Sequence, residues 1–160
     1  FTTYARENCW AGAESVGRTL PDDFPVGGVI LAACSRDGRK AKDATRSYSA
    51  TYVINKLRNI KNDVILSTSG YPDDAWEPFR AAIEAGTEDN VTHLVNDDIQ
   101  RAFNVISGTP DECLEIMQEL VDAGMNLPLL EVVGANEADN LESIRLLGEE
   151  VVPRLKPAAA

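Results

Sequence analysis

Residues 107–124 read SGTPDECLEIMQELVDAG, and after two residues the run LPLLEVV follows at 127–133. The first stretch spells a helix with both ends marked. Thr109 can cap it through its hydroxyl, Pro110 suits the first helical position, and Glu112 can reach back as the other half of a capping box. Asp111 and Glu112 also sit where the helix dipole favours negative charge. Cys113, Met117, Leu120 and Gly124 recur at helical spacing, and Leu114, Ile116 and Val121 widen the apolar stripe. Glu115, Gln118, Glu119 and Asp122 are left for water, and Gly124 stops the helix. The run at 127–133 is apolar almost throughout rather than alternating. That is how a strand covered on both faces of a parallel sheet reads.

Working outward, residues 26–35 (VGGVILAACS) read as a second buried strand. A helical pattern runs from Gly38 to about Leu57, with Ala41, Ala44, Tyr48 and Tyr52 on one face. An earlier helix of weak propensity is predicted over 4–18, interrupted by Gly12 and Gly17. Further helices are predicted over 73–85 and 96–105, the latter capped by Asn96, and over 140–155, where Leu141, Ile144, Leu147, Val151 and Leu155 make a stripe until Pro153. The stretch NDVILSTSGYP at 62–72 takes no firm assignment. Helices alternating with strands predict an α/β protein with a parallel sheet, the strand at 127–133 lying parallel to and beside that at 26–35. Two strands alone do not make a stable sheet. Further strands, or a larger whole of which this is one sector, are therefore expected.

The chain has 160 residues, 44% of them hydrophobic, enough for one domain spanning 1–160. A net charge of −11 argues against nucleic acid as a partner. Even so, Arg36, Arg39, Lys40, Lys42, Arg46, Lys56, Arg58 and Lys61 crowd one region. Cys9, Cys34 and Cys113 are scattered, with no paired spacing and a single histidine, His93, elsewhere. Reduced thiols in a cytoplasmic protein, no metal site and no serine–histidine triad are expected. No apolar run is long enough for a membrane span. The chain starts at Phe1 without methionine, which is read as a fragment or processed product.

The segment VNDDIQRAFNVISGTPDEC, the capped helix with its terminal AG, the apolar strand, and then SIRLLGEEVVPRL together resemble the carboxyl end of luciferase-like oxidoreductases. The nearer likeness is to the deazaflavin-dependent branch that includes methylenetetrahydromethanopterin reductase. Upstream, DDFPVGGVILAACSRDGRKAKDA is similar to the strand and helix preceding that family's insertion. The resemblance implies the carboxyl-terminal part of a (β/α)8 TIM barrel with a helical insertion between the last two strands. It also implies hydride transfer between coenzyme F420 and a small organic substrate, in a soluble homo-oligomer. FMN-dependent monooxygenation and a non-catalytic α/β binding module are the alternatives.

Barrel enzymes work at the carboxyl ends of their strands. That rule selects Cys34, Ser35 and Asp37 after one strand, and Gly134, Ala135 and Asn136 after the other. Ser35 and Asn136 are the cofactor-binding candidates, set against the plainer reading that they are turn residues. Lys56 and Arg58, followed by Arg80, are the candidates for contacting an anionic substrate, since such groups attract carboxylate and phosphate; the plainer reading is a solvated basic surface. Cys113 is expected in the core, and Cys34 either there or lining a pocket. No catalytic acid or base stands out.

Overall fold

The computed structural model describes residues 2–59 and 67–157. Three parallel strands form its sheet: β1 (Gly27–Cys34), β2 (Ile106–Gly108) and β3 (Leu127–Val132), in the order β2-β1-β3. The expected pairing of the two long strands holds, with Gly27 opposite Leu127 and Ala32 opposite Val132. β2 was not anticipated. It pairs with the end of β1, Ala32 opposite Ile106 and Cys34 opposite Gly108, and at three residues it is too short to show a strand pattern. The connection between the two long strands is therefore not helical throughout, and they are not consecutive in the chain.

Around the sheet lie α1 (Thr2–Ser15), α2 (Gly38–Arg58), α3 (Glu77–Ala85), α4 (Asp97–Ala102), α5 (Pro110–Asp122) and α6 (Glu137–Leu146). A 3-10 turn, Asp73–Trp76, leads into α3; a π turn, Leu147–Val151, and a 3-10 turn, Val152–Arg154, extend α6. Most N-termini are capped as the sequence spells them. Asp37 accepts from the amides of Arg39 and Lys40, Asn96 from Ile99, and Asn136 from Asp139. The capping box of α5 is complete: the Glu112 amide donates to Thr109 Oγ1 at 3.4 Å and the Thr109 amide to Glu112 Oε2 at 2.7 Å. The helix predicted over 96–105 stops at Ala102 because Asn104 takes a left-handed conformation at φ 58°.

The crossovers β1–α2–β2 and β2–α5–β3 travel in opposite directions across the sheet. Right-handed connections therefore place α2 and α5 on opposite faces, and the side chains agree. Ile30, Ala32 and Cys34 point into a core shared with Cys113, Ile116, Met117 and Leu120 of α5 and with Leu146, Leu147 and Val151. On the other face, Ala33 and Val133 pack on Ala41 of α2. The far half of α2 carries Val53 and Ile54 into a helical cluster with Trp76, Phe79, Val95 and Ile99. Each such large side chain, taken from water, contributes roughly 1.5–3 kcal/mol before entropy.

Three expectations are corrected. β3 is covered on one face only: Leu127 and Leu129 are about half exposed, since α2 reaches just the carboxyl ends of the strands on that side. The buried stripe of α2 is Ala41, Thr45, Ser49 and Val53, while Tyr48 and Tyr52 point outward. Thr45 and Ser49 can be buried because their hydroxyls donate to backbone carbonyls of the preceding turn, those of Lys42 and Thr45; a reading by hydrophobicity selects the tyrosines instead. In α6, Ser143, Leu146, Leu147 and Val151 face inward and Leu141 and Ile144 outward. The Ser143 hydroxyl accepts the Cys34 amide at 2.7 Å, and the π turn resets the phase of the stripe.

Candidate functional site

Parallel strands direct their carboxyl ends to one side of the sheet, the usual place for ligands. Here that side is formed by Ser35, Gly108–Thr109 and Gly134–Asn136, and it is closed. The Ser35 amide donates to the Gly108 carbonyl at 3.0 Å, and the Ser35 hydroxyl accepts the Asp37 amide at 3.2 Å. Gly108 holds φ +143°, and a Cβ there would stand 2.5 Å from Glu112 Oε2. Ion pairs tie the helices across the strand ends: Lys40 to Asp139 at 2.6 Å, Arg36 to Glu150, and Arg154 to Asp111 at 2.8 Å. Lys42 sits between Glu112 at 2.8 Å and Asp97 at 3.0 Å. Its ammonium, donating to both, holds each carboxyl below its usual range; they in turn raise the Lys42 pKa, Glu112 most. The void left beside Ser35, Ala135 and Asp139 is about 10 Å³, too small for a ring.

Asn136 is at the expected place, yet both its polar atoms serve its own helix: Oδ1 accepts the Asp139 amide and Nδ2 donates to the Asp139 carboxylate, each at 3.1 Å. Cys34 and Cys113 are core residues. Cys113 donates to the Ala33 and Gly108 carbonyls; its contact with Cys34, and then burial, push its pKa up, so it stays a thiol. His93 is exposed on a 3-10 turn.

Lys56 and Arg58 occupy the opposite end of α2. At 1.5 Å per residue, Lys56 lies about 27 Å along the helix from Gly38, so the structure does not bring these cations to Ser35 and Asn136. Lys56 rests over the Tyr52 ring, 4.7 Å from its centroid, and Arg58 pairs with Glu88. Arg80 is held by Glu77 at 2.7 Å and Asp73 at 3.0 Å, apart from both groups in sequence and partners.

A larger cavity adjoins the Lys56 end. About 500 Å³ opens between the uncovered sheet face and α2, walled by Val29, Leu31, Tyr48, Tyr52 and Phe103, with Asn55 and Glu131 at its edges. Tyr52 and Phe103 meet edge to face at 5.5 Å. Apolar and aromatic walls with a few polar groups, at this volume, suit a flat organic ring. Sequence reasoning put Tyr48 and Tyr52 on one face with Ala41 and Ala44 and did not find the groove that the two tyrosines line. The signal it could have used was Thr45 and Ser49, whose small size permits close helix packing one position further round. Among the described residues, no acidic, histidine or cysteine cluster could hold a metal ion, and no helix is long and apolar enough to cross a membrane.

The parallel sheet, its crossover helices and the capped SGTP turn define a sector of the α/β fold found in barrel oxidoreductases of the luciferase-like kind. Comparison gives the particular relatives. The chain is 32% identical over 146 residues to the 5,10-methylenetetrahydromethanopterin reductase of Methanopyrus kandleri, covering 91% of this chain and 39% of that protein. It is 30% identical over 158 residues to the enzyme of the same name from Archaeoglobus fulgidus, covering 95% of this chain and 44% of that one. The solved coenzyme F420 dependent tetrahydromethanopterin reductase of Methanopyrus kandleri superposes with a TM-score of 0.73 at 28% identity, over 97% of this chain and 42% of that structure. A structure of apo-MsnO8 shares the fold alone, with a TM-score of 0.50 at 15% identity, over 98% of this chain and 42% of that one. No family model matches. The chain thus spans about two-fifths of the length of the reductases it matches, and the resemblance read from its residues extends along nearly all of it.

Proposed function

We propose that this chain contributes to an F420-dependent oxidoreductase that transfers a hydride between the coenzyme and a small organic substrate, one bearing a methylene group on a reduced pterin as the names of its relatives indicate. The observation that carries this reading is the 30–32% identity to two such reductases across nine-tenths of the chain, supported by the likeness in fold. When bound, the deazaflavin supplies the hydride chemistry; the protein supplies position and surroundings.

The groove fits such a ring in volume and lining, whereas the closed strand ends do not. Tyr48 and Tyr52 would flank the ring on the helix side and Val29 and Leu31 on the sheet side, excluding water. Asn55, whose side chain makes no hydrogen bond with another described residue, would meet the ring edge, and Lys56 stands beside Tyr52 to attract an anionic group. Ser35 and Asn136 would act indirectly, by fixing the starts of α2 and α6.

The test is spectroscopic. The protein, mixed with reduced F420 and either a methenyl- or methylene-pterin substrate or buffer, is followed through the absorbance of the oxidised deazaflavin. Substrate-dependent oxidation of the coenzyme is expected. Oxidation with the same rate when substrate is omitted, or none with either substrate, contradicts the reading.

A further inference from the structure

A second cavity, of about 220 Å³, lies against β2 between α2, α4 and α5, with Lys42 in its lining. Two features set it apart. Gln100 is 2% exposed and Ser107 is 4% exposed, and both line it. The Gln100 amide nitrogen donates to the Lys42 carbonyl at 3.1 Å and to Thr45 Oγ1 at 2.6 Å. That fixes the amide's orientation, because the reverse would set oxygen against the Lys42 carbonyl oxygen. Gln100 Oε1 is then buried without a partner, and the Ser107 hydroxyl has none among the described residues. A buried acceptor left unmade costs about 1–3 kcal/mol unless something donates to it, and native structures answer such groups with water or ligand.

The charge of the lining says which ligand. Asp97, Asp98, Glu112 and Glu115 face Lys42 and Arg101. Lys42 is consumed by Asp97 and Glu112, and Arg101 by Glu115 and Glu119, leaving Asp98 at the rim with no ion pair among the described residues. An open carboxylate, an unfilled acceptor and a hydroxyl that can accept call for a cation with N–H donors. We propose that this cavity binds a small molecule bearing a primary ammonium group, donating to Gln100 Oε1 and Ser107 Oγ while Asp98 balances its charge.

The test is a nuclear magnetic resonance titration of the ¹⁵N-labelled chain with 1,4-diaminobutane, with tetramethylammonium, which has the charge but no N–H, and with inorganic phosphate. Diaminobutane is expected to shift the Gln100 side-chain amide and the Ser107 amide saturably, and the other two to leave them in place. Ser107→Ala, checked for an unchanged melting curve, should weaken binding about tenfold. Asp98→Asn, on the exposed rim where folding is not at issue, should weaken it severalfold in low salt and less in high salt. Saturable binding of phosphate, equal binding of tetramethylammonium, or no saturable shift with the diamine overturns the proposal, the last marking a cavity filled by water alone.

Discussion

Thr109 and Asn136 look alike in sequence, each a polar residue before a helix, and the structure gives them the same work. Thr109→Ala removes one half of the capping box and should lower stability by about 1 kcal/mol, read from the denaturant midpoint at unchanged slope. Asn136→Ala should cost about as much, because both polar atoms of Asn136 are spent on Asp139. That differs from the expectation that Asn136 faces a cofactor. Glu112 does two jobs, closing the capping box and receiving Lys42. Glu112 and Asp97 both have depressed pKa values, chiefly through the Lys42 ammonium. A carboxyl depressed in the folded state contributes stability that is fully present above its unfolded value and is lost as pH falls through the folded one. Stability should therefore drop as pH goes below about 4.5, and Lys42→Met should flatten that drop while changing little of the pH dependence near neutrality. Both carboxyls are partly exposed, so solvent screening keeps the effect modest. An unaltered acid limb in Lys42→Met would remove this ion pair from the account.

At the level of elements, β1 offers a test within two adjacent residues. Ile30 is 6% exposed in the core against α5 and Val29 is 71% exposed on the open face. Ile30→Ala should cost about 2–5 kcal/mol, whereas Val29→Thr should stay within about 0.5 kcal/mol, both measured by chemical unfolding. Equal losses would mean that the open face is packed. The contrast also shows what the sequence could and could not reveal. α5 was legible in full, because a capping box, a three-four repeat and a terminal glycine are local signals that tertiary packing left undisturbed. The long strands and their parallel pairing followed from apolar runs separated by helices. β2 was hidden because Ile106, Ser107 and Gly108 are too few to carry a period. The orientation of α2 was misread because Thr45 and Ser49 hide their polarity in backbone hydrogen bonds. With it went the groove, since Tyr48 and Tyr52 were grouped with Ala41 and Ala44 on one face, and with that the link between Lys56 and a cavity.

Across the whole molecule, the strand first in the chain stands between the two later ones, with helices on both faces. The likeness to the reductases covers about two-fifths of their length, and the outer edges of β2 and β3 pair with no strand among the described residues. Unpaired edges beside exposed Val29, Leu127, Leu129, Tyr48 and Tyr52 favour association. Sedimentation velocity of this chain should show a weight-average mass that rises with concentration, and Leu129→Lys should suppress the rise. A concentration-independent monomer in the parent would show the face to be self-sufficient. The central claim is that this chain carries a place for the deazaflavin ring in the groove between the sheet and α2, and fluorescence titration of oxidised F420 tests it most directly. Saturable quenching by the parent, weakened at least severalfold in Tyr52→Ala and left unchanged in Asn136→Ala, is the expected result. No binding by the parent, or binding lost in Asn136→Ala and kept in Tyr52→Ala, would contradict it and return the site to the ends of the strands.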